Sequence, residues 1–504
     1  MARYVSAFAG MAAAFMVIGA TDDGPIDADS QAWWSLVSVL SADDMEGRDT
    51  GSQGHERAAR LMAERLAAAG LEPLGDNGTW FQRIEFEEVG VPSATLHGPG
   101  GELAFLDEFS LAPNTALPDA LTVPIAYRGY CGADALGDVA GKLVVCHGTR
   151  REGLTSGAER AAAVRAAGAA GMATILDPGY SLEPPRWPFA YARSVYRRGD
   201  TPEPDPFIRL GINADALGRL LGRDAGQLVA DGVEGQPLPS FDSGTAELGF
   251  AIRTAQFSSP NVIGMLPGTD PALADQAIVL GAHLDGYGYG RTVNGDALYN
   301  GTLDNAAYVA LIVHLMETRA REGYARPIIV ALWTGEEKGL HGSKWFVENP
   351  TIPIERIAAN INLDQLRPIF PLELMTVHAR TDTTLGADAT AVATARGIRV
   401  QDDPEPGRNL LRRSDHWSFL QAGIPAINFV FGYEPGSDSE EIYREWYRTG
   451  YHRPQDDLVQ LMDWQAAADF NRFFYALVDR VANQPEAPAW EEGSELSPAG
   501  GGDM

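Results

Sequence analysis

Cysteine and lysine are nearly absent from this sequence, and no long apolar run follows its first twenty residues. Two cysteines in 504 residues, Cys131 and Cys146, exclude a disulfide-dense scaffold and argue against a metal site made of cysteine alone. Their spacing is compatible with one bridge closing a short loop in an oxidising compartment, or with two buried free thiols. Lysine occurs only as Lys142, Lys338 and Lys344. With the heavy use of Ala and Gly, this reads as genomic base-composition bias without catalytic meaning. A basic surface is also missing. The formal net charge is −29, which repels phosphate and excludes nucleic acid as a partner. No segment beyond the amino terminus reaches the ~20 apolar residues of a bilayer span, so no membrane span is expected in the mature chain.

What is present is an ordinary globular balance, 45% hydrophobic and 21% charged, in a chain long enough for two or three domains. Met1-Ala2-Arg3, an apolar stretch from Tyr4 to Ile18 and the small pair Gly19-Ala20 read as a cleaved signal peptide over residues 1–20. The expected location is therefore periplasmic or secreted, or membrane-anchored if the leader is retained. Residues 486–504 are rich in Gly, Pro, Ser and acid and are expected to be a disordered tail.

Between these ends the texture changes twice. Gln53 to Ala69 carries a helical apolar rhythm, with Gly70 where a C-cap belongs. From 116 to 240, short buried strands such as TVPIAYRGY and GKLVVCHG alternate with an Ala-rich helix and Pro-rich loops, and the block behaves as an inserted β-rich domain. It separates an amino-terminal part, 21–115, from a carboxy-terminal part, 241–485. In the latter, AIVLGAHLD, PIIVALWT, IAANINLD and IPAINFVFG alternate with helical runs. That alternation predicts an α/β fold, a three-layer αβα sandwich around a mostly parallel sheet, with its site at the carboxyl ends of the strands.

The chemistry-bearing residues sit at those ends. His283 and Asp285 close one strand, two residues apart and so on one face, where Asp285 can reach the His283 ring. Asp304 opens a helix after a glycine turn. Glu336 and Glu337 stand side by side after a buried strand, a costly pair unless a cation meets them. Asp364 ends another strand, and His452 lies in a loop near the carboxyl terminus. Each alone has a plainer reading: a strand histidine is usually structural, an Asp before a helix is usually an N-cap, and an acidic pair is usually solvated. Together, two histidines and three carboxylates with a spare glutamate suit a two-zinc site.

The order His283-Leu284-Asp285, Asp304-Asn305, Gly335-Glu336-Glu337-Lys338-Gly339-Leu340-His341-Gly342-Ser343, Asn362-Leu363-Asp364, Tyr451-His452 resembles the co-catalytic two-zinc aminopeptidases of metallopeptidase clan MH, family 28, which also includes glutamate carboxypeptidase and transferrin-receptor ectodomains. RRSDHWSFLQAGIPAINF is similar to the segment preceding that family's last strand. The resemblance covers roughly 41–90 and 251–483, and the middle block resembles a protease-associated (PA) domain. It implies two Zn2+ per chain. Asp304 would bridge them, His283 and Asp364 would complete one, and Glu337 and His452 the other. Glu336 would be the general base, Asp285 would orient His283, and Tyr451 would polarise the scissile carbonyl. It also implies a cis Asp304–Asn305 peptide. The expected activity is aminopeptidase action on peptide substrates. The alternatives are a carboxypeptidase or dipeptidase of the same fold, a glutaminyl cyclase, and a non-catalytic binding ectodomain, against which the full ligand set argues. Oligomeric state is left open.

Other candidates are weaker. His314 and His341 read as packed or surface residues, and His416 as either structural or pocket-lining. Ser414-Asp415-His416 are consecutive and cannot form a catalytic triad. Arg408, Arg412 and Arg413 form a solvated basic loop or recognise a substrate carboxylate. Gly286–Gly290 lacks the helix pattern of a dinucleotide loop. Asn77-Gly78-Thr79 and Asn300-Gly301-Thr302 match glycosylation acceptors, as chance often produces.

Overall fold

The computed structural model describes residues 24–176 and 192–498. Residues 1–23, on which the expected signal peptide falls, residues 177–191 and residues 499–504 lie outside the described residues.

The central strand is Ala277–His283. It pairs in parallel with Ile328–Trp333 on one side and with Ile357–Leu363 on the other. Ala426–Phe431 extends the sheet in parallel beyond Ile357–Leu363, and Leu374–His378 adds antiparallel to it. These strands read as unbroken apolar runs because both faces are covered. Ile278, Leu280, Ala282, Val330 and Leu332 enter one core, against helices Ala28–Leu40, Gln53–Ala69, Ala307–Arg319 and Trp464–Asn483. The alternate residues Val279, Ile329, Ala331 and Trp333 enter a second core with Phe346, Trp417 and Phe419, on helices His341–Glu348 and His416–Gln421. The predicted αβα sandwich is the observed one. Gly70 adopts φ 96° after Gln53–Ala69, the left-handed C-cap expected there.

Two long antiparallel strands, Phe81–Gly98 and Phe241–Leu266, run out of this body into a second lobe. There Ala120–Tyr127, Leu143–His147, Gly171–Ile175 and Ile208–Ile212 form a parallel row. A separate apolar core, from Val91 to Phe250, fills it. Helices Gly157–Ala166 and Gly226–Glu234 accompany these strands, so the lobe is α/β in texture. Cys131 and Cys146 are joined in a disulfide within this lobe.

The expected disordered tail is corrected by the structure as far as Pro498. Trp490 and Leu496 pack on the second core of the sandwich. The Trp490 indole donates to the Gly423 carbonyl at 3.0 Å, and Ser494 Oγ donates to Asp382 at 2.8 Å. Composition pointed to disorder, but two large apolar side chains are enough to dock the segment.

Candidate metal centre

His283 stands at the end of the central strand, and its Nε2 lies 3.1 Å from Asp304 Oδ1 and 3.4 Å from Asp364 Oδ1. His452 Nε2 lies 3.5 Å from Asp304 Oδ2 and 3.6 Å from Glu337 Oε2. Two donor groups thus share one residue: His283, Asp304 and Asp364 form the first, and Asp304, Glu337 and His452 the second, with ligand atoms within 4.8 Å of one another in each. Glu336 joins a third grouping with His283 and Glu337. All five predicted ligands come together, with Glu336 beside them.

Asp304 precedes the regular helix, which begins at Ala307. Its peptide bond to Asn305 is cis, as expected. Its backbone is held from outside: Asp456 Oδ1 accepts from Leu303 N at 2.8 Å and Oδ2 from Asp304 N at 3.0 Å. Burial pushes the Asp456 carboxyl up to about 6. Arg48, 1% exposed, donates to the carbonyls of Leu40, Leu284, Asn300 and Gly301. It thereby fastens the His283 strand end to the Asp304 loop and the amino-terminal helix. Neither residue carries a local sequence signal.

Asp285 differs from expectation in which of its atoms faces the histidine. His283 Nδ1 lies 3.0 Å from the Asp285 backbone carbonyl, and the carboxylate is 4.0 Å away. The carboxylate accepts instead from Thr50 Oγ1 at 2.9 Å and from Glu336 N at 3.1 Å. The tautomer consistent with this places the proton on Nδ1 and leaves the Nε2 lone pair facing Asp304 and Asp364. Tyr451 stacks on the His452 ring at 3.6 Å, and its hydroxyl accepts from Gln365 at 3.2 Å.

Burial and neighbouring charges shift the acids of this cluster in opposite directions and raise the histidine. Burial drives the Glu336 carboxyl well above the usual range, with Asp364, Glu337 and Asp415 adding to it against His283. Burial also pushes Glu337 up to about 7. For Asp304, burial is outweighed by His283 and His452, which hold its carboxyl low. For His283, burial is outweighed by the Glu336 charge and by bonds from Asp304 and Asp364, which hold it well above the usual range. Asp304 Oδ2 and Glu337 Oε1 are buried without a hydrogen-bond partner. Buried unpaired carboxylate oxygens converging with imidazole nitrogens are costly alone and suited to divalent cations. The residues present fit a metal pair.

Asp304, Glu337, Asp364 and His452, with Glu336, line a cavity of about 380 Å³, together with Arg367, His378, Arg412, Arg413, Asn428 and Tyr451. Arg412 and Arg413 thus reach the site. Arg408 does not line it; it pairs with Glu405 at 3.2 Å. His416 is fully buried behind the cavity, stacked on His378 at 5.8 Å. His314 pairs with Asp29 at 3.0 Å, and His341 with the Val195 carbonyl at 2.9 Å, so both are held away from the donors.

The sequence pattern of Peptidase family M28 matches residues 261–478, the segment that carries all of these donors. That segment, a little under half of the chain, matches peptidase family M28. Among curated relatives, a glutamate carboxypeptidase 2 homolog of Caenorhabditis briggsae is 29% identical over 228 residues, 41% of this chain and 28% of that protein. Leupeptin-inactivating enzyme 1 of Streptomyces exfoliatus is 24% identical over 255 residues, 48% of this chain and 54% of that one. The chain therefore spans about a quarter to a half of the length of these relatives. Among solved structures, an aminopeptidase from Aneurinibacillus sp. strain AM-1 matches with TM-score 0.62 at 18% identity, covering 91% of this chain and 95% of that one. A zinc aminopeptidase from Bacillus subtilis matches with TM-score 0.60 at 18% identity, covering 93% and 98%. The sandwich and its second lobe thus share an architecture with these proteins. No helix among the described residues is long and apolar enough to cross a membrane.

Proposed function

We propose that this protein is a zinc-dependent aminopeptidase that removes amino-terminal residues from peptides. The observation that carries the reading is the pair of donor groups sharing Asp304, with one further glutamate, Glu336, beside them. His283 and Asp364 would hold one zinc, Glu337 and His452 the other, and Asp304 both. Zinc held by these residues would supply an acidified water, its pKa lowered from about 15.7 toward about 7, and a polarised carbonyl. The protein's own groups do the rest. Glu336, next to the donors and not needed by either group, takes a proton from the attacking water and returns it to the leaving nitrogen. The Asp285 carboxylate fixes the Glu336 backbone, and the Asp285 carbonyl fixes the His283 ring. Tyr451, stacked on His452, presents its hydroxyl to the carbonyl oxygen of the scissile bond. The second lobe reads as a protease-associated domain, supported by its separate core. The leader pattern and the Cys131–Cys146 bridge support export to an oxidising compartment.

The test is bound zinc by elemental analysis, together with rates on aminoacyl anilides, their N-acetyl forms and N-blocked peptides with a free carboxylate. Two zinc per chain and cleavage of free-amine substrates alone are expected. Activity confined to N-blocked peptides overturns the aminopeptidase assignment. Glu336→Ala should keep both metals and lose roughly 100- to 10,000-fold in kcat. Metal loss, or retained turnover, sinks the base assignment.

A further inference from the structure

The cavity above the donors carries two opposite charges in separate places. Among the described residues, its acids are Asp304, Glu336, Glu337 and Asp364, all in the donor cluster, while its walls bring Lys344, Arg367, Arg412 and Arg413. Four cations around one opening stand out in a chain of net charge −29.

Arg367 is the unusual one. It is 1% exposed, yet among the described residues no carboxylate pairs with it. Its guanidinium carbon lies 4.8 Å from the Tyr443 ring, 5.5 Å from Trp446 and 4.9 Å from Tyr447. Its Nε donates weakly to the Gln365 carbonyl at 3.4 Å, and its Nη1 has no hydrogen-bond partner. Neighbouring arginines are served differently. Arg408 has Glu405, and Arg444 has both Glu405 and Glu440. A buried guanidinium with an open donor is strongly disfavoured unless an anion meets it, and aromatic faces supply only part of that compensation. The planar fork suits a carboxylate. Arg412 stacks on Trp417 at 4.8 Å, which fixes a second guanidinium at the cavity wall.

We propose that Arg367, with Arg412 beside it, binds a carboxylate of the substrate, so that the enzyme selects peptides bearing one next to the scissile bond. This rests on the aminopeptidase reading. The carboxylate comes either from an acidic side chain of the amino-terminal residue or from the free α-carboxylate of a dipeptide. Of the three arginines that the sequence groups together, Arg408, Arg412 and Arg413, Arg408 is excluded from this role, because its guanidinium pairs with Glu405 and does not line the cavity.

The experiment compares kcat/KM of the zinc-loaded protein for Glu-anilide against Gln-anilide, and for Ala-Leu against Ala-Leu-amide. Calorimetry of glutamate against glutamine binding to the same protein reports whether or not turnover occurs. The carboxylate member should win by about 10- to 100-fold in at least one pair. The first pair winning assigns the side-chain source, and the second the α-carboxylate. Both R367M and R412Q should bring that ratio toward one. If R367M does not fold, R367K, which keeps charge and loses the fork, should still lower it. A ratio near one in the wild type overturns the proposal outright, and so does a ratio that survives R412Q and whichever Arg367 variant folds, because the donor cluster with its metal would then be taking the carboxylate without the arginines. Absence of turnover on every free-amine substrate, with the calorimetric preference intact, overturns the aminopeptidase reading and leaves the carboxylate site standing.

Discussion

Asp456→Asn is the substitution that most directly separates holding the metal from holding the loop that holds it. Asp456 uses both oxygens. Oδ1 accepts from Leu303 N and from Gln460 Nε2, at 2.8 and 2.7 Å, and Oδ2 accepts from Asp304 N at 3.0 Å. An asparagine has one acceptor oxygen. It will turn that oxygen to the side with two donors, and its NH2 group will then face the Asp304 N–H. One buried hydrogen bond to a charged group is lost and two donors oppose each other. The expected cost is about 2–3 kcal/mol of stability in the metal-free protein, set by an unsatisfied buried donor. Because the broken bond belongs to the backbone of the shared donor, zinc affinity should fall about 10- to 100-fold as well. Urea unfolding of the metal-free proteins reads the first quantity, and chelator competition the second. If Asp456→Asn matches the wild type in both, the carboxylate does not position the Asp304 loop and the argument fails.

Two further outcomes are expected. His314 has its pKa raised from 6.5 to about 9, because the Asp29 and Glu317 partners outweigh burial. The folded state therefore binds this proton more tightly than the unfolded chain. The pair stabilises fully below pH 6.5, and the contribution is lost as pH rises through 9. Discounted for the exposure of Asp29, it is about 1 kcal/mol, read as the gap between wild type and Asp29→Asn in denaturant melts at pH 6, a gap that should close by about pH 10. The Cys131–Cys146 bridge closes a loop with a sequence separation of 15. Replacing both cysteines by alanine should lower the stability of the second lobe by about 3 kcal/mol, read by urea unfolding, and an unchanged midpoint would count against the bridge.

The elements that carry the donors were legible because two separate patterns coincided in them. Unbroken apolar runs marked strands covered on both faces, and three of them led, at their last residues or within three residues beyond, to a histidine or an acid. A strand end beside a loop is where a polar side chain leaves the core, so run and terminus together pointed to the carboxyl ends of the strands, where His283, Glu337 and Asp364 meet. The supports were not legible, because their partners are distant in sequence. Asp456 serves Leu303 and Asp304, more than 150 residues earlier. Arg48 reaches Asn300 and Gly301, about 250 residues later. Arg367 acquires its aromatic surround only when helix Asp438–Thr449 packs over it. No periodicity in one segment reports such contacts.

Asp285 shows where a local rule stops. Residues two apart share a face only while the strand continues, and the strand ends at His283. Beyond that point the chain turns, and the Asp285 carbonyl, not its side chain, comes to face the imidazole. The carboxylate is thereby released toward Thr50 and the Glu336 backbone. One residue then supports both halves of the site: its main chain sets which His283 nitrogen faces Asp304 and Asp364, and its side chain sets where the neighbouring glutamate begins. The pattern of a histidine followed two residues later by an aspartate pointed to a supporting residue correctly, for a geometry that the strand's end replaces with another. A carboxylate is still required there, because Glu336 N and Thr50 Oγ1 approach two different oxygens of one side chain, and only an ionised acid offers both as acceptors.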